Sequence, residues 1–132
     1  MNSVFESVFV RLRVILQKHS GTLTVIADLP DRYCLQIVFS PKLKKTFPVA
    51  WVQVGKAYVS YHLMPVYMFP NLRDSMSDKL RARMQGKSCF NFKVVDEALF
   101  KELEEITAQG FVMCRKEGFE PEHNVPQHGD GS

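Results

Sequence analysis

Apolar residues near the N-terminus recur every three or four positions, as the buried face of a helix requires. The residues on this face are Val4, Phe5, Val8, Phe9, Leu12, Ile15 and Leu16. Ser3 and Glu6 have the spacing of a capping box, and Gly21 is a natural stop. The pattern therefore predicts a helix over residues 4–19.

Alternating apolar and polar residues follow this helix and predict four strands. Two of them cover residues 22–28 and 32–39. Two more lie on either side of Gly55-Lys56, where a glycine in first place favours a type II′ hairpin turn. That turn would fix the register of the hairpin, with Val52 opposite Val59.

The two faces of the predicted hairpin differ in chemistry. One face is aliphatic and is expected to form the core: Pro48, Ala50, Val52, Val54, Ala57, Val59, Tyr61 and Leu63. The other face, which we call the polar face, carries Trp51, Gln53, Tyr58, Ser60 and His62. The predicted register pairs Trp51 with Ser60, Gln53 with Tyr58, and Val49 with His62.

The rest of the chain predicts two helices and one further strand. Residues 64–70 are expected to form a loop, and Asn71 to cap a helix that ends at Gly86. Residues 89–93 form a short strand that turns its phenylalanines inward. Asp96 is expected to cap the last helix, which would weaken near its middle glycine and end at the next one.

This order of elements, α-β-β-β-β-α-β-α, predicts an α+β fold. We expect a two-layer sandwich with a mainly antiparallel sheet and helices on one face. The domain should span residues 1–119. Residues 120–132 lack periodicity and large apolar side chains, which predicts a disordered tail.

Composition narrows the classes of function. A formal net charge of +3 lacks the concentrated basic stripe expected of a nucleic-acid-binding protein, and the densest basic run, 42–45, is expected to be a solvated loop. No apolar stretch approaches the roughly 20 residues of a membrane helix. The 3 cysteines are widely spaced without a CxxC pattern. This spacing predicts a reducing cytoplasm, with neither a disulfide framework nor a zinc site.

Two further residues join the polar face as candidates. Cys89 and His62 would form a nucleophile–base pair if their strands are neighbours, although no nucleophile-elbow pattern accompanies them. Lys87 lies in a Gly-Lys-Ser sequence that resembles the end of a phosphate-binding loop, but Arg81 stands where that loop needs a glycine. The candidate ligand- or partner-binding residues are Trp51, Gln53, Tyr58, Ser60, His62, Lys87 and Cys89. No residue is assigned as catalytic or metal-binding.

Three explanations fit a polar face rich in amphipathic rings. It binds a ligand or a protein, it forms a homodimer sheet to sheet, or the tail or the loops at 40–45 and 64–70 cover it. Aromatic rings with a polar edge are favoured where surfaces bind. The residues alone leave these explanations open.

The run from residue 55 to 63, followed by a helix and by residues 86–92, resembles the YdhG-like family of small bacterial domains, mostly of unknown function. The resemblance spans residues 4–119 and implies a frataxin-like α+β sandwich. The family includes a member proposed as an intracellular iron chaperone, and frataxins use an acidic ridge on the first helix and strand. Here Glu6 is the only acidic residue of the first helix, and acidic residues are concentrated in the last helix. The resemblance therefore supports the fold more than iron binding, and it transfers no metal ligand.

The sequence thus predicts a cytoplasmic, non-enzymatic binding module that uses the polar face. An iron-binding or iron-chaperone-like protein is the first alternative. An enzyme that uses Cys89 with His62 is the second. The sequence identifies no cofactor, small molecule or partner protein.

Overall fold

A computed structural model of the chain describes residues 3–40 and 45–117. Within these ranges it contains, in chain order, α1 (Ser3–Gln17), β1 (Thr24–Leu29), β2 (Arg32–Ser40), β3 (Lys45–Val54), β4 (Val59–Leu63), α2 (Met64–Met68), α3 (Pro70–Asp74), α4 (Asp78–Arg81), β5 (Met84–Gln85), β6 (Cys89–Phe92) and α5 (Glu97–Lys116). The strands form one antiparallel sheet in the order β1-β2-β3-β4-β6-β5. The predicted α+β fold is confirmed.

The core lies between one face of this sheet and the helices. Because side chains alternate along a strand, every second residue points to the same face. The residues of the sheet that are buried in the core against the helices are Tyr33, Leu35, Val49, Ala50, Val52, Val59, Tyr61, Leu63, Phe90 and Phe92. Each of the five described helices adds buried residues to the same core. The helices therefore cover the aliphatic face, as the sequence predicts.

A buried hydrogen bond joins the sheet to α5. The hydroxyl oxygens of Tyr61 and Thr107 lie 2.6 Å apart, and both residues are fully buried. Burial raises the pKa of Tyr61, so its phenol stays protonated. The bond satisfies both hydroxyls within an otherwise apolar layer.

The turn of the β3–β4 hairpin differs from the prediction. The Gly55 N–H donates to the Tyr58 carbonyl at 2.9 Å, which closes a four-residue loop, and Gly55 lacks the positive φ of a type II′ turn. The pairing therefore moves by two residues, so that Trp51 lies opposite His62 and not opposite Ser60. An even shift keeps each paired side chain on its face, so residues 50–54 and 59–63 lie as predicted. The predicted turn is wrong, and so is the predicted core position of Ala57, which is exposed in the loop.

A bulge also removes Val49 from the polar face. Between β2 and β3, Leu35 pairs with Ala50 and Gln36 pairs with Pro48, so Val49 is the extra residue. Val49 is fully buried in the core, whereas Pro48, which was expected in the core, is exposed. Its expected place opposite His62 is therefore wrong, because the bulge interrupts the alternation on which that expectation depends.

The segment expected as a loop and one long helix forms three short helices. Proline occupies the first turn of α2 and of α3, at Pro65 and Pro70, where a helix needs no backbone N–H. The hydroxyl of Ser77 accepts a hydrogen bond from the Leu80 N–H at 3.1 Å and begins α4. Asn71 lies inside α3 and caps nothing. The predicted single helix is wrong, and β5 occupies its expected last turn.

The last helix begins as predicted and runs without interruption. Asp96 accepts a hydrogen bond from the Leu99 N–H at 3.1 Å. Gly110 is buried, and a Cβ added there would lie 2.7 Å from the Cβ of Pro65. The glycine therefore permits α5 to approach α2 closely, and it does not interrupt the helix.

Some expectations fall outside the described residues. The predicted tail at 120–132, the predicted helix stop at Gly118 and most of the basic run at 42–45 lie there. Among residues 3–40 and 45–117, no helix is both long enough and apolar enough to cross a membrane.

We predict that Gly110→Ala lowers the free energy of unfolding by about 1–3 kcal/mol, because its methyl group would overlap Pro65. Helix propensity alone would favour alanine by about 1 kcal/mol. Urea unfolding followed by circular dichroism measures the change. Gln109→Ala, at the exposed neighbouring position, is the control and should stay within about 0.5 kcal/mol of the parent. A Gly110→Ala protein at least as stable as the parent would contradict the close contact.

His19 should make stability depend on pH. Its ring packs edge-on against Phe111, with centroids 4.8 Å apart. Burial, followed by the charge of Arg115, lowers the pKa of His19 below its usual value. The neutral ring thus contributes stability above the unfolded pKa of about 6.5. That stability is lost as the pH falls through the lower folded pKa, because the unfolded chain binds the proton more readily.

We therefore expect the free energy of unfolding to fall between about pH 7 and pH 5, and to fall less steeply in His19→Gln. Urea titrations at several pH values give both slopes. Equal slopes for parent and variant would show that His19 is not held in its neutral form by folding.

Candidate functional site

Strand pairing arranges the polar face in two rows. The first row crosses five strands and holds Cys34, Trp51, His62, Cys89 and Gln85. The second row holds Arg32, Gln53, Ser60 and Asn91. This side of the sheet lies opposite the buried residues that contact the helices. The rows therefore place polar and aromatic side chains from five strands side by side.

Trp51 and His62 form a stacked pair at the centre of the first row. Their ring centroids are 4.4 Å apart and their planes differ by 14°. Both residues are partly exposed. Aromatic pairs of this kind contribute about 0.5–1.5 kcal/mol beyond the area that they bury. The stack fixes the orientation of the imidazole on the polar face.

The next strand places a thiol beside this imidazole. Cys89 Sγ lies 3.6 Å from His62 Nε2 and 3.3 Å from Asn91 Oδ1. Burial raises the pKa of Cys89, and a hydrogen bond from Ser60 opposes that shift. Burial also lowers the pKa of His62. Both shifts favour a neutral thiol next to a neutral imidazole over a thiolate–imidazolium pair.

Amides extend this contact into a continuous network. Asn91 accepts a hydrogen bond from the Ser60 hydroxyl at 3.0 Å and donates to Gln85 Oε1 at 2.5 Å. The Tyr58 hydroxyl donates to the same Gln85 oxygen at 3.3 Å. The network runs from the hairpin loop across β5 and β6 to His62, and it holds these side chains in place.

Gln85 is the network residue that sequence reasoning missed. It was expected in a helix, and β5 is only 2 residues long, so no alternation marks it as a strand. Asn91 could be found by alternation from the inward-facing Phe90 and Phe92. Cys34 joins the first row as alternation suggests, but it is fully buried and unavailable to a ligand.

The structure separates Lys87 from the network. Lys87 is exposed in the turn between β5 and β6, and its Nζ lies 5.8 Å from the ring centre of Tyr67. With Tyr67, Arg73 and residues of α2 it lines a cavity of about 490 Å³. Gln53, also exposed, lies between Arg32 and Ser60 in the second row.

Three acids of the last helix contact neighbouring segments. Glu97 forms an ion pair with Arg11 of α1, and Glu104 forms one with Lys18, directly after that helix. Glu102 accepts two hydrogen bonds at the start of α4, both at 2.7 Å. In the part of one chain that the structure describes, no group of three or more His, Cys, Asp or Glu side chains is placed to hold a metal ion.

Comparisons of the chain with protein-family models, with curated proteins and with solved structures return no match. Function is therefore inferred from the geometry of the polar face. The resemblance to the YdhG-like family stays a prediction.

We predict that an alkylating reagent modifies Cys89 first in the folded protein. Cys89 is partly exposed, whereas Cys34 and Cys114 have 0% exposure. The rate should stay low at neutral pH and rise with pH, because burial raises the pKa of Cys89 and the thiolate is the reactive form. Iodoacetamide labelling with peptide mapping by mass spectrometry measures this order.

Cys89→Ser should remove the label from the folded protein, and unfolding should expose the other two thiols. If Cys114 reacts as fast as Cys89 in the native state, the described burial of these side chains is wrong.

Proposed function

We propose that the protein is a cytoplasmic, non-enzymatic binding module whose polar face binds a ligand or a protein. One observation carries the proposal. A stacked Trp51–His62 pair and a hydrogen-bonded network lie partly exposed on the sheet face away from the helices.

The chemistry of this face suits an interface. Antiparallel sheets often leave one face to water, and such faces usually carry polar side chains. Here the face carries an indole, an imidazole, a phenol and a thiol, which combine apolar area with groups that form hydrogen bonds. Tryptophan and tyrosine are enriched where binding energy is concentrated.

The face is also organised before it binds. The stack holds the Trp51 and His62 rings, and the amides of Asn91 and Gln85 hold Ser60 and its neighbours. Side chains already ordered lose less conformational entropy on association. Folding alone does not require the stacked rings and the hydrogen-bonded side chains of the polar face to stay partly exposed.

Membership of the YdhG-like family forms part of the proposal. It is supported by the order of elements, in which a helix and four strands precede the short helices, β6 and α5. It is also supported by the adjacency of β4, which ends in His62-Leu63, and β6. The iron-binding alternative has weaker support, since three of the four acids of α5, Glu97, Glu102 and Glu104, are engaged in ion pairs or hydrogen bonds.

An enzyme that uses Cys89 with His62 is a second candidate. The 3.6 Å contact between Sγ and Nε2 favours it, because a nucleophile and its base must lie within hydrogen-bond reach. The pKa directions of both groups oppose it. An alkylation profile for Cys89 with its inflection well below the usual thiol pKa of about 8.5 would favour this candidate.

We predict that Trp51→Ala and His62→Ala each lower the free energy of unfolding by less than about 3 kcal/mol, because each loses the stacking contribution and the area of a ring that is only partly buried. Both substitutions should abolish binding or self-association through the polar face. Urea unfolding measures the first effect, and sedimentation velocity over a range of protein concentrations measures the second. Val112→Ala, at an exposed site on α5, is the matched control.

A loss of more than about 3 kcal/mol in either variant would place the residue in the core, since truncation of a buried aromatic costs that much. The polar face would then be structural, and the proposed function would be wrong.

A further inference from the structure

Cys89 and His62 are spaced as two ligands of one tetrahedral metal ion. Their Sγ and Nε2 atoms are 3.6 Å apart. Zinc binds thiolate sulfur at about 2.3 Å and imidazole nitrogen at about 2.0–2.1 Å, so two such ligands at the tetrahedral angle lie about 3.6 Å apart. The pair already has the separation that a zinc ion would impose.

The surroundings of the pair suit this role. The stack on Trp51 holds the imidazole, and Asn91 Oδ1 lies 3.3 Å from the sulfur. Such outer contacts orient metal ligands. Cys89 and His62 are both partly exposed, so an ion has access from the solvent side of the sheet.

The described residues of one chain supply only half of the ligands of a tetrahedral site. Among residues 3–40 and 45–117, no third His, Cys, Asp or Glu completes the site. A two-fold axis through the polar face would bring an identical pair opposite the first, because a two-fold interface repeats the same contacts on both copies. The result is a tetrahedral set of two sulfurs and two nitrogens, which is typical of zinc.

We propose that two copies of this chain meet through their polar faces around one Zn²⁺ ion, held by Cys89 and His62 of each copy. This inference rests on the proposed function, because it assigns an occupant to the polar face. Facing sheets pack about 10 Å apart, which lets side chains from both faces reach a common ion. Two S–H bonds break, two Zn–S bonds form, and two protons pass to solvent.

The ligands escape motif searches for a physical reason. They lie 27 residues apart, on β4 and β6, which are neighbours only in the folded sheet. Zinc motifs in sequences depend on pairs of ligands a few residues apart within one chain. A site divided between two strands and two chains leaves no such spacing.

The test is a zinc titration of the metal-free, full-length protein. We expect saturation at about one zinc per two chains, together with conversion of monomer to dimer in sedimentation velocity. Cobalt in place of zinc should give the absorption of a thiolate-bound ion. The only tryptophan, Trp51, stacks on His62, so its fluorescence should change with occupancy.

Cys89→Ser and His62→Gln should each weaken zinc binding by at least about 100-fold, beyond the 10–100-fold effect of losing an outer contact. Both should remain monomeric with zinc, and urea unfolding with a chelator present should show that they are folded. His19→Gln, another half-buried histidine, is the matched control and should bind zinc like the parent. His123 and His128 lie outside the described residues, and the double variant His123→Gln/His128→Gln should also bind zinc like the parent.

The results separate the possibilities. No zinc uptake by the parent, or equal uptake by Cys89→Ser, overturns the site. One zinc per chain without dimerisation, or loss of binding in the His123/His128 double variant, overturns the second copy as the source of ligands. If zinc does not bind but Trp51→Ala is stable and no longer associates, the proposed function stands without the metal. Unfolding of Trp51→Ala would overturn both.

Discussion

Burial of one face of the sheet against the helices is the constraint on which the rest of the structure depends. The apolar side chains of β3, β4 and β6 have no other way to leave water, and α1 and α5 cover them. The hydrogen bond between Tyr61 and Thr107 fixes α5 over this layer. Because the strand pleat alternates, the same burial commits Trp51, His62 and Cys89 to the opposite face.

Alternation made the faces of the sheet predictable even where the turn was not. The Gly55 loop has four residues and not two, yet an even shift in pairing leaves residues 50–54 and 59–63 on their expected faces. Val49 could not be placed this way, because a bulge has no signature in the alternation. The single helix predicted to start at Asn71 does not form, since Ser77 caps a new helix, α4, after α3 has ended at Asp74.

The candidate site was predictable in its centre and not at its edges. Cys89 contacts His62 because β4 and β6 are neighbouring strands. The sequence predicted this contact only for the case in which the two strands are neighbours. Gln85 belongs to a strand too short to show alternation of apolar and polar residues. Its hydrogen bond with Asn91 is therefore visible only in the folded structure. The result is a fixed array of a stacked pair, a thiol and amides, and this array supports binding at the polar face more than the chemistry of a nucleophile.

The central claim is that the polar face is open in the free chain and becomes covered when it is occupied. Acrylamide quenching of Trp51, the only tryptophan, tests this most directly. The account predicts efficient quenching in the dilute, metal-free protein and protection once the face is occupied. Fluorescence that resists quenching in the dilute monomer would contradict the account, because the protein itself would then cover the face.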